Sequence, residues 1–348
     1  MNMITHIGGC GELKRQAMVA RDLGSPFVAA VLEAGERQLH HAPLTAQLIL
    51  CWPHAPSAAA LAMRFNAALH AIARRGSIPM LSALYRGEHD DFDGALAAAL
   101  AAEDHFIFAR MHHTPQTNEV GRAAAIGAAL MAARARLGFP FELLELGSSC
   151  GLNLNLARYV YDLGGVSAGV TDSAVQVAPV WRGPPPVVAP IDVHDARGVD
   201  LNPLDAGNEA TRDLLLSYVW ADQPQRAARL EQALALAQRH PPRIDKGNAV
   251  SWLAARLSEP QQAGRCRVVF HSMVLQYLRE KDRLAVIDMI EAAGARATGE
   301  RPLAWISFEW TPTRSEVQLW LTCWPSGEGR LLAKCHAYGD WIEWQGQV

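Results

Sequence analysis

The sequence predicts an α/β protein: a Rossmann-like, doubly wound, mainly parallel sheet finished by an antiparallel carboxyl-terminal hairpin, with an α-helical amino-terminal region. Three observations predict it. Alanine dominates the first 138 residues, and strand-like alternation is missing there. From Phe141 onward, short apolar runs alternate with helical stretches, the pattern of a parallel sheet covered by helices. Near the end, Val317–Trp324 and Arg330–Tyr338 alternate as strands around Pro325-Ser-Gly-Glu-Gly329, which reads as a hairpin loop.

The elements follow in order. Ser57 to Arg74 carries Leu61, Phe65, Leu69 and Ile72 at helical spacing. Gly121 to Leu137 carries Ile126, Leu130 and Leu137, and Gly138-Phe139-Pro140 stops it. Residues 1–138 are therefore read as a helical region that could act as a lid, and 139–348 as the sheet domain. Strands are expected at 141–146, 198–201, 243–245, 267–271 and 303–309. Helices are expected at 209–220, 225–239, 251–258 and 280–295. A helix with Leu152, Leu156, Tyr159 and Val160 on one face should follow the first strand. The stretch from Gly164 to Ala196, with Trp181-Arg-Gly-Pro-Pro-Pro186, fits neither pattern and reads as a long ordered insertion near the site.

Composition narrows the function classes. Half of the 348 residues are hydrophobic, 19% are charged, and the formal charge is -3. Such a balance exerts no overall pull on nucleic acid or anionic membrane. The six cysteines (10, 51, 150, 266, 323 and 335) stand singly, without a Cys-x-x-Cys pair, and read as buried thiols of a reducing compartment. Met111-His112-His113 lacks metal-ligand spacing and reads as a surface feature, so no metal is expected. The first residues have no basic start followed by an apolar core, and no apolar run approaches the ~20 residues of a membrane span. A cytoplasmic protein is expected.

The chemistry concentrates in Phe141-Glu-Leu-Leu-Glu145-Leu-Gly147-Ser-Ser149-Cys-Gly151, an apolar strand entering a glycine turn. Two chemistries fit this turn. As Gly-x-Ser-x-Gly it is a nucleophile elbow with Ser149 at its tip, and Glu309 and His336 supply an acid and a base in the order such triads use. As Glu-x-Gly-x-x-x-Gly it is a cofactor loop. Gly147 permits the sharp turn, Gly151 removes a side chain where the chain packs closely, and Glu145 brings negative charge towards a cationic ligand. The second strand should then end on an acid able to hold ribose hydroxyls, and Gly198-Val-Asp200-Leu-Asn-Pro203 supplies it. Asp172 lies at the customary distance but outside strand-like surroundings. Helical residues precede the turn where a hydrolase has strands, which favours the cofactor loop.

Glu145-x-Gly-x-Ser-x-Gly151 with Gly198-Val-Asp200 resembles the first two motifs of class I S-adenosylmethionine-dependent methyltransferases. Lys246-Gly-Asn248-Ala249 is similar to their third-strand element, and Val268–Leu278 to their fourth strand and the segment after it. Ser149 replaces the middle glycine of that pattern, and Asn248 stands where an acid is commoner. Across nearly its full length the chain is similar to domain-of-unknown-function family 2332. The residues that carry this are Gln116-Thr-Asn-Glu-Val-Gly-Arg122, Gly198–Asp205, Phe270–Tyr277 and Trp305–Glu309.

The methyltransferase resemblance implies S-adenosylmethionine over residues 147–151, with Glu145, Gly147, Ser149, Gly151 and Asn153 around it. Asp200 would hold the ribose, and Asn248 with Ala249 would face the adenine. His271, at a strand end, reads equally as a catalytic base or as a satisfied structural histidine. Tyr277 and Glu309 are further catalytic candidates. Gln116, Thr117, Asn118, Glu119 and Arg122 form a polar segment that could fold over the pocket. It also reads as a helix start, with Thr117 or Asn118 as cap. The function expected is methyl transfer to an unidentified small molecule or protein. A non-catalytic protein of the same fold that binds a nucleotide-like ligand or a partner, and a Ser149 hydrolase, are the alternatives.

Overall fold

A computed structural model describes Gly9 and residues 11–53, 55–57 and 59–346. The readings made of the first eight residues and of Cys10 lie outside these. The chain forms two compact units, Met1–Thr117 with Glu209–Ala228, and Asn118–Asn208 with Arg229–Val348.

The first unit is helical. It contains α1 (Glu12–Asp22), α2 (Pro26–Gln38), α3 (Pro43–Leu50), α4 (Leu61–Arg75), α5 (Pro79–Tyr85) and α6 (Phe92–Met111). Proline opens α2, α3 and α5, where its missing N–H would have had no intrahelical partner. Asp91 caps α6 by accepting from the Gly94 amide at 2.8 Å. The stripe foreseen on α4 is fully buried at Leu61, Phe65, Leu69 and Ile72, within one core shared with α1, α2 and α6.

The boundary falls at Thr117 rather than at 138, because α7 (Ala123–Leu137) belongs to the second unit. Its residues 123–133 are all buried, and it packs on strands of the sheet. Alanine lets a helix lie close to its neighbours, so the composition reflects tight packing as much as a helical domain. Gly138 ends α7 in a left-handed conformation, as the glycine–proline signal predicts. The stretch after Asn208, α8 (Glu209–Ser217), returns to the first unit.

The second unit is mixed α/β around one large, mostly parallel sheet. Its strands are β1 (Phe141–Leu146), β5 (Val180–Arg182), β6 (Val193–Asp200), β7 (Arg243–Lys246), β8 (Cys266–Ser272), β9 (Leu303–Trp310), β10 (Val317–Trp324), β11 (Glu328–Cys335) and β12 (Trp341–Trp344). Three shorter strands, β2 (Val160–Asp162), β3 (Ser167–Gly169) and β4 (Gln176–Val177), pair among themselves. The nine run in the order β5-β12-β11-β10-β9-β8-β1-β6-β7. From β9 to β7 every pairing is parallel, whereas β9 through β12 form an antiparallel meander. The foreseen hairpin is β10–β11. Strand order reverses direction around β1 and β8, and ligands of open α/β sheets bind at the carboxyl ends of the strands beside such a switch. α9 (Pro224–Arg239) precedes β7, α10 (Ala249–Ser258) follows it, and α11 (Glu280–Gly294) links β8 to β9. α10 and α11 share a core with Leu144, Leu146, Val199 and Val269.

Two expectations are corrected here. No α-helix follows the glycine turn: Leu152–Arg158 is a 3-10 helix leading into β2. The buried tyrosine hydroxyls of Tyr159 and Tyr161 donate to the carbonyls of Leu152 and Leu156 at 2.5 and 2.6 Å, fastening this turn of chain to β2. The insertion is ordered as expected, yet it does not stay near β1. It carries β3 and β4, then β5, which pairs with β12 at the far edge of the sheet, and its last residues enter β6 beside β1.

Candidate functional site

The glycine turn is built as a close fit between strand ends. Gly147 and Gly151 both have φ of 68°, a region that disfavours side chains. A Cβ on Gly147 would strike Val274, and one on Gly151 would strike Pro242 and Ile244. Ser149, at the tip, has φ of 54°. Ser149 therefore holds a backbone conformation that favours glycine. Gly147 and Ser148 donate their amides to the Val199 carbonyl at 2.9 and 3.0 Å, fastening the turn to β6.

The acid that ends β6 completes this arrangement. Asp200 Oδ2 accepts from the Ser149 amide at 2.8 Å and Oδ1 from the Asn202 amide at 2.8 Å. Asp200 thus joins the turn, whereas Asp172 lies in the insertion. Glu145 is buried beneath the turn, and desolvation pushes its carboxyl up to about 8, with hydrogen bonds from Ser148 and Asn153 opposing and nearby Asp200 reinforcing. Glu145 Oε2 and Asn153 Oδ1 are buried acceptors without a hydrogen-bond partner. Beside Gly151 opens a cleft of 460 Å³ lined by Cys150, Pro203, Leu204, Asp205, Pro242 and Ile244 among others. Burial pushes the Cys150 thiol up to about 12, so it is not a nucleophile at neutral pH.

Further along the sheet, His271 is fully buried at the end of β8. Its Nδ1 donates to Glu309 Oε1 at 2.7 Å, and its Nε2 accepts from the Trp305 indole at 3.0 Å. An indole N–H only donates, so the ring carries its proton on Nδ1. With both nitrogens engaged, His271 serves as a structural bridge, and a role as base gains no support. Glu309 Oε1 also accepts from the amides of Val274 and Leu275, at 2.8 and 3.1 Å. Glu309 therefore anchors the segment that covers Gly147. The triad of Ser149, His336 and Glu309 does not assemble: Glu309 is engaged by His271, and His336 Nδ1 lies 2.9 Å from Asp340. Tyr277 is 79% exposed on the segment after β8.

The polar segment before α7 divides between the units, with Gln116 and Thr117 in the first and Asn118 to Arg122 in the second. The expected capping is corrected too. Glu119 Oε1 accepts from the Gly121 amide at 3.0 Å, while Asn118 Oδ1 accepts from Leu152 N at 3.0 Å, at the exit of the glycine turn. Arg122 is buried, and its guanidinium donates to the carbonyls of Ala337 and Ser272 at 2.9 and 3.3 Å. Desolvation lowers its pKa, opposed by the charge of Glu119 and by Tyr338, Glu309 and Tyr277 around it. Asn248 caps α10, its Oδ1 accepting from Val250 at 2.8 Å, and is exposed beside Ala249 at the end of β7.

Strain gathers at the same edge. Of four described non-glycine residues with positive φ, Ser149 follows β1, Met273 follows β8 and Arg314 follows β9. Such residues persist where the surroundings over-determine them, often at ligand sites. Val274 and Trp305 escaped the sequence reading as site residues. The signal for Trp305 was present in β9, where Trp305, Ser307 and Glu309 put a partly polar face towards a helix.

Four segments, Asn118–Arg122, Gly198–Asp205, Phe270–Tyr277 and Trp305–Glu309, thus meet around the carboxyl ends of four adjacent parallel strands. Together they form the candidate site of this α/β sheet. The chain belongs to a bacterial family, described as uncharacterised proteins conserved in bacteria with domain of unknown function 2332, whose profile matches residues 11–344. Neither the curated proteins nor the solved structures include a match to it.

Proposed function

We propose that the chain is an S-adenosylmethionine-dependent methyltransferase with a Rossmann-like fold of the class I kind, acting on a small molecule or protein. The observation that carries the reading is the Ser149–Asp200 hydrogen bond, which joins the glycine turn of β1 to the acid of β6 beside the switch point. The donor set fits the cofactor. Glu145 Oε2 and Asn153 Oδ1 are buried acceptors lacking donors, and an ammonium group supplies donors to both. Asp200 ends β6 against the turn, where its carboxylate would accept from a ribose hydroxyl. The cleft beside Gly151 is large enough for a nucleoside-sized group.

The bound sulfonium would supply a methyl group, which leaves with its S–C bond pair on sulfur as the acceptor's lone pair forms the new bond. The protein's work is then to position and desolvate. The buried turn excludes water at Gly147 to Gly151, and the Glu309 anchor fixes Val274 over it. A proton released by the acceptor goes to solvent or to a group outside the His271 bridge.

Calorimetric titration with S-adenosylmethionine tests this. Binding in the micromolar range is expected, weakened at least tenfold in Asp200→Ala. Absence of binding at millimolar ligand overturns the reading and favours a protein of this fold without the cofactor.

A further inference from the structure

A second cavity, of 540 Å³, opens beyond the Glu309 anchor, between the start of α11 and the face of β9 and β10. The indoles of Trp305 and Trp320 line it on the sheet face, and Trp310, at the end of β9, Arg283 and Arg314 complete the lining. Why it is not core follows from the strands. On β9 the buried residues Ala304, Ile306 and Phe308 take one face, which leaves Trp305, Ser307 and Glu309 on the other. Trp320 pairs with Ser307 and Thr322 with Trp305 on β10, so the polar, aromatic face extends across both strands. A sheet face under a helix is ordinarily closed with aliphatic side chains. Here it is lined with flat rings, hydroxyls and charge.

The charges that face the cavity decide what it takes. Glu309 is its one carboxylate, and one of its oxygens is held by three donors from His271, Val274 and Leu275. The two cations come from different walls, Arg283 from α11 and Arg314 from the turn after β9. Neither guanidinium makes a hydrogen bond or ion pair among the described residues. Arg314 is also held at φ of 55°, with its amide donating to the Thr311 carbonyl at 2.8 Å. The turn therefore presents this side chain at the rim at a conformational cost.

We propose that this cavity binds a small planar ring bearing an acidic group, a carboxylate or a phosphate, with the ring against the indoles and the acid between Arg283 and Arg314. Aromatic walls take the flat face of such a ligand, and guanidinium groups match either oxyanion in a forked geometry. Through Val274 and Leu275 the cavity wall continues to the cover of Gly147. Its use as the methyl-acceptor pocket rests on the methyltransferase reading. The binding itself does not.

Calorimetry with phenyl phosphate, benzoate, phenol and inorganic phosphate tests the proposal on the full chain, with thermal melts of each variant as a folding control. At least one ring-bearing anion is expected to bind ten or more times more tightly than phenol and than inorganic phosphate. The winner, phenyl phosphate or benzoate, identifies the acid. Arg283→Met with Arg314→Met should bring that affinity down to the level of phenol, and the matching lysine pair should restore part of it. Trp320→Leu should weaken the ring-bearing anions and leave S-adenosylmethionine unchanged. Equal affinities for phenol and the ring-bearing anions, or no change in the double methionine variant, overturn the proposal. Because S-adenosylmethionine is titrated separately, failure here is distinguishable from failure of the cofactor reading.

Discussion

Glu145 illustrates how a single carboxyl ties stability to ligand binding. Its folded pKa of about 8 lies above the ordinary carboxylate value of 4.5, so folding takes up a proton wherever pH lies between the two. The stability associated with the protonated form is complete below 4.5 and is lost as pH rises to about 8, at about 1.4 kcal/mol per pH unit. Glutamine mimics the protonated acid. Glu145→Gln is therefore expected to melt at nearly the wild-type temperature at pH 4.5 and progressively above it up to pH 8, while binding S-adenosylmethionine more weakly. A melting-temperature difference that stays constant across this range would contradict the assignment. Sequence reading placed Glu145 at the site as a negative charge. It could not supply the burial that favours the protonated form, because desolvation depends on what covers the turn. His271 is the same lesson at a second residue: its position at a strand end was legible, but its two partners, Trp305 and Glu309, come from another strand.

At the level of elements, turn and cover act as one unit. Gly147 faces Val274, and the Glu309 carboxylate holds the amides of Val274 and Leu275. Gly147→Ala places a side chain in the left-handed region and into Val274, with an expected loss of roughly 2–4 kcal/mol in urea unfolding. In a Val274→Ala background the clash is relieved, and the loss should fall to about 1–2 kcal/mol, the left-handed part alone. Equal losses in both backgrounds would show that Val274 does not cover the turn. Periodicity in the sequence located β1, β7, β8 and β9 to within a residue or two. It missed the 3-10 character of Leu152–Arg158, since the buried bonds from the Tyr159 and Tyr161 hydroxyls to the Leu152 and Leu156 carbonyls leave no periodic trace in the sequence.

Across the whole molecule, the two units do not correspond to two consecutive stretches of sequence. Glu209–Ala228 belongs with the first unit, and α7 belongs with the second. A chain comprising residues 139–348 lacks α7 against β9 and β10 and leaves Leu215 and Leu216 of α8 without the partners that bury them. Calorimetry of that fragment is expected to show no cooperative unfolding, and a single sharp transition like that of the full chain would refute this. Composition suggested a boundary at 138 because alanine marks both a helical unit and a helix pressed against a sheet. Only the pattern of contacts separates the two. The described residues include no helix long and apolar enough to cross a membrane. Four of the five described cysteines are buried, and all five are free thiols.

The three left-handed residues at the strand ends bear on how this protein can be engineered. Glycine would relax the backbone at Ser149, Met273 and Arg314, so a procedure that ranks substitutions by folding stability alone will recommend it at each. Each such change would also delete a side chain beside one of the two cavities or the turn between them. A stabilised variant made in that way would keep its fold while losing the side chains of the edge proposed above to bind ligands. Positions where glycine stabilises and binding suffers would then trace the site without knowledge of its ligand.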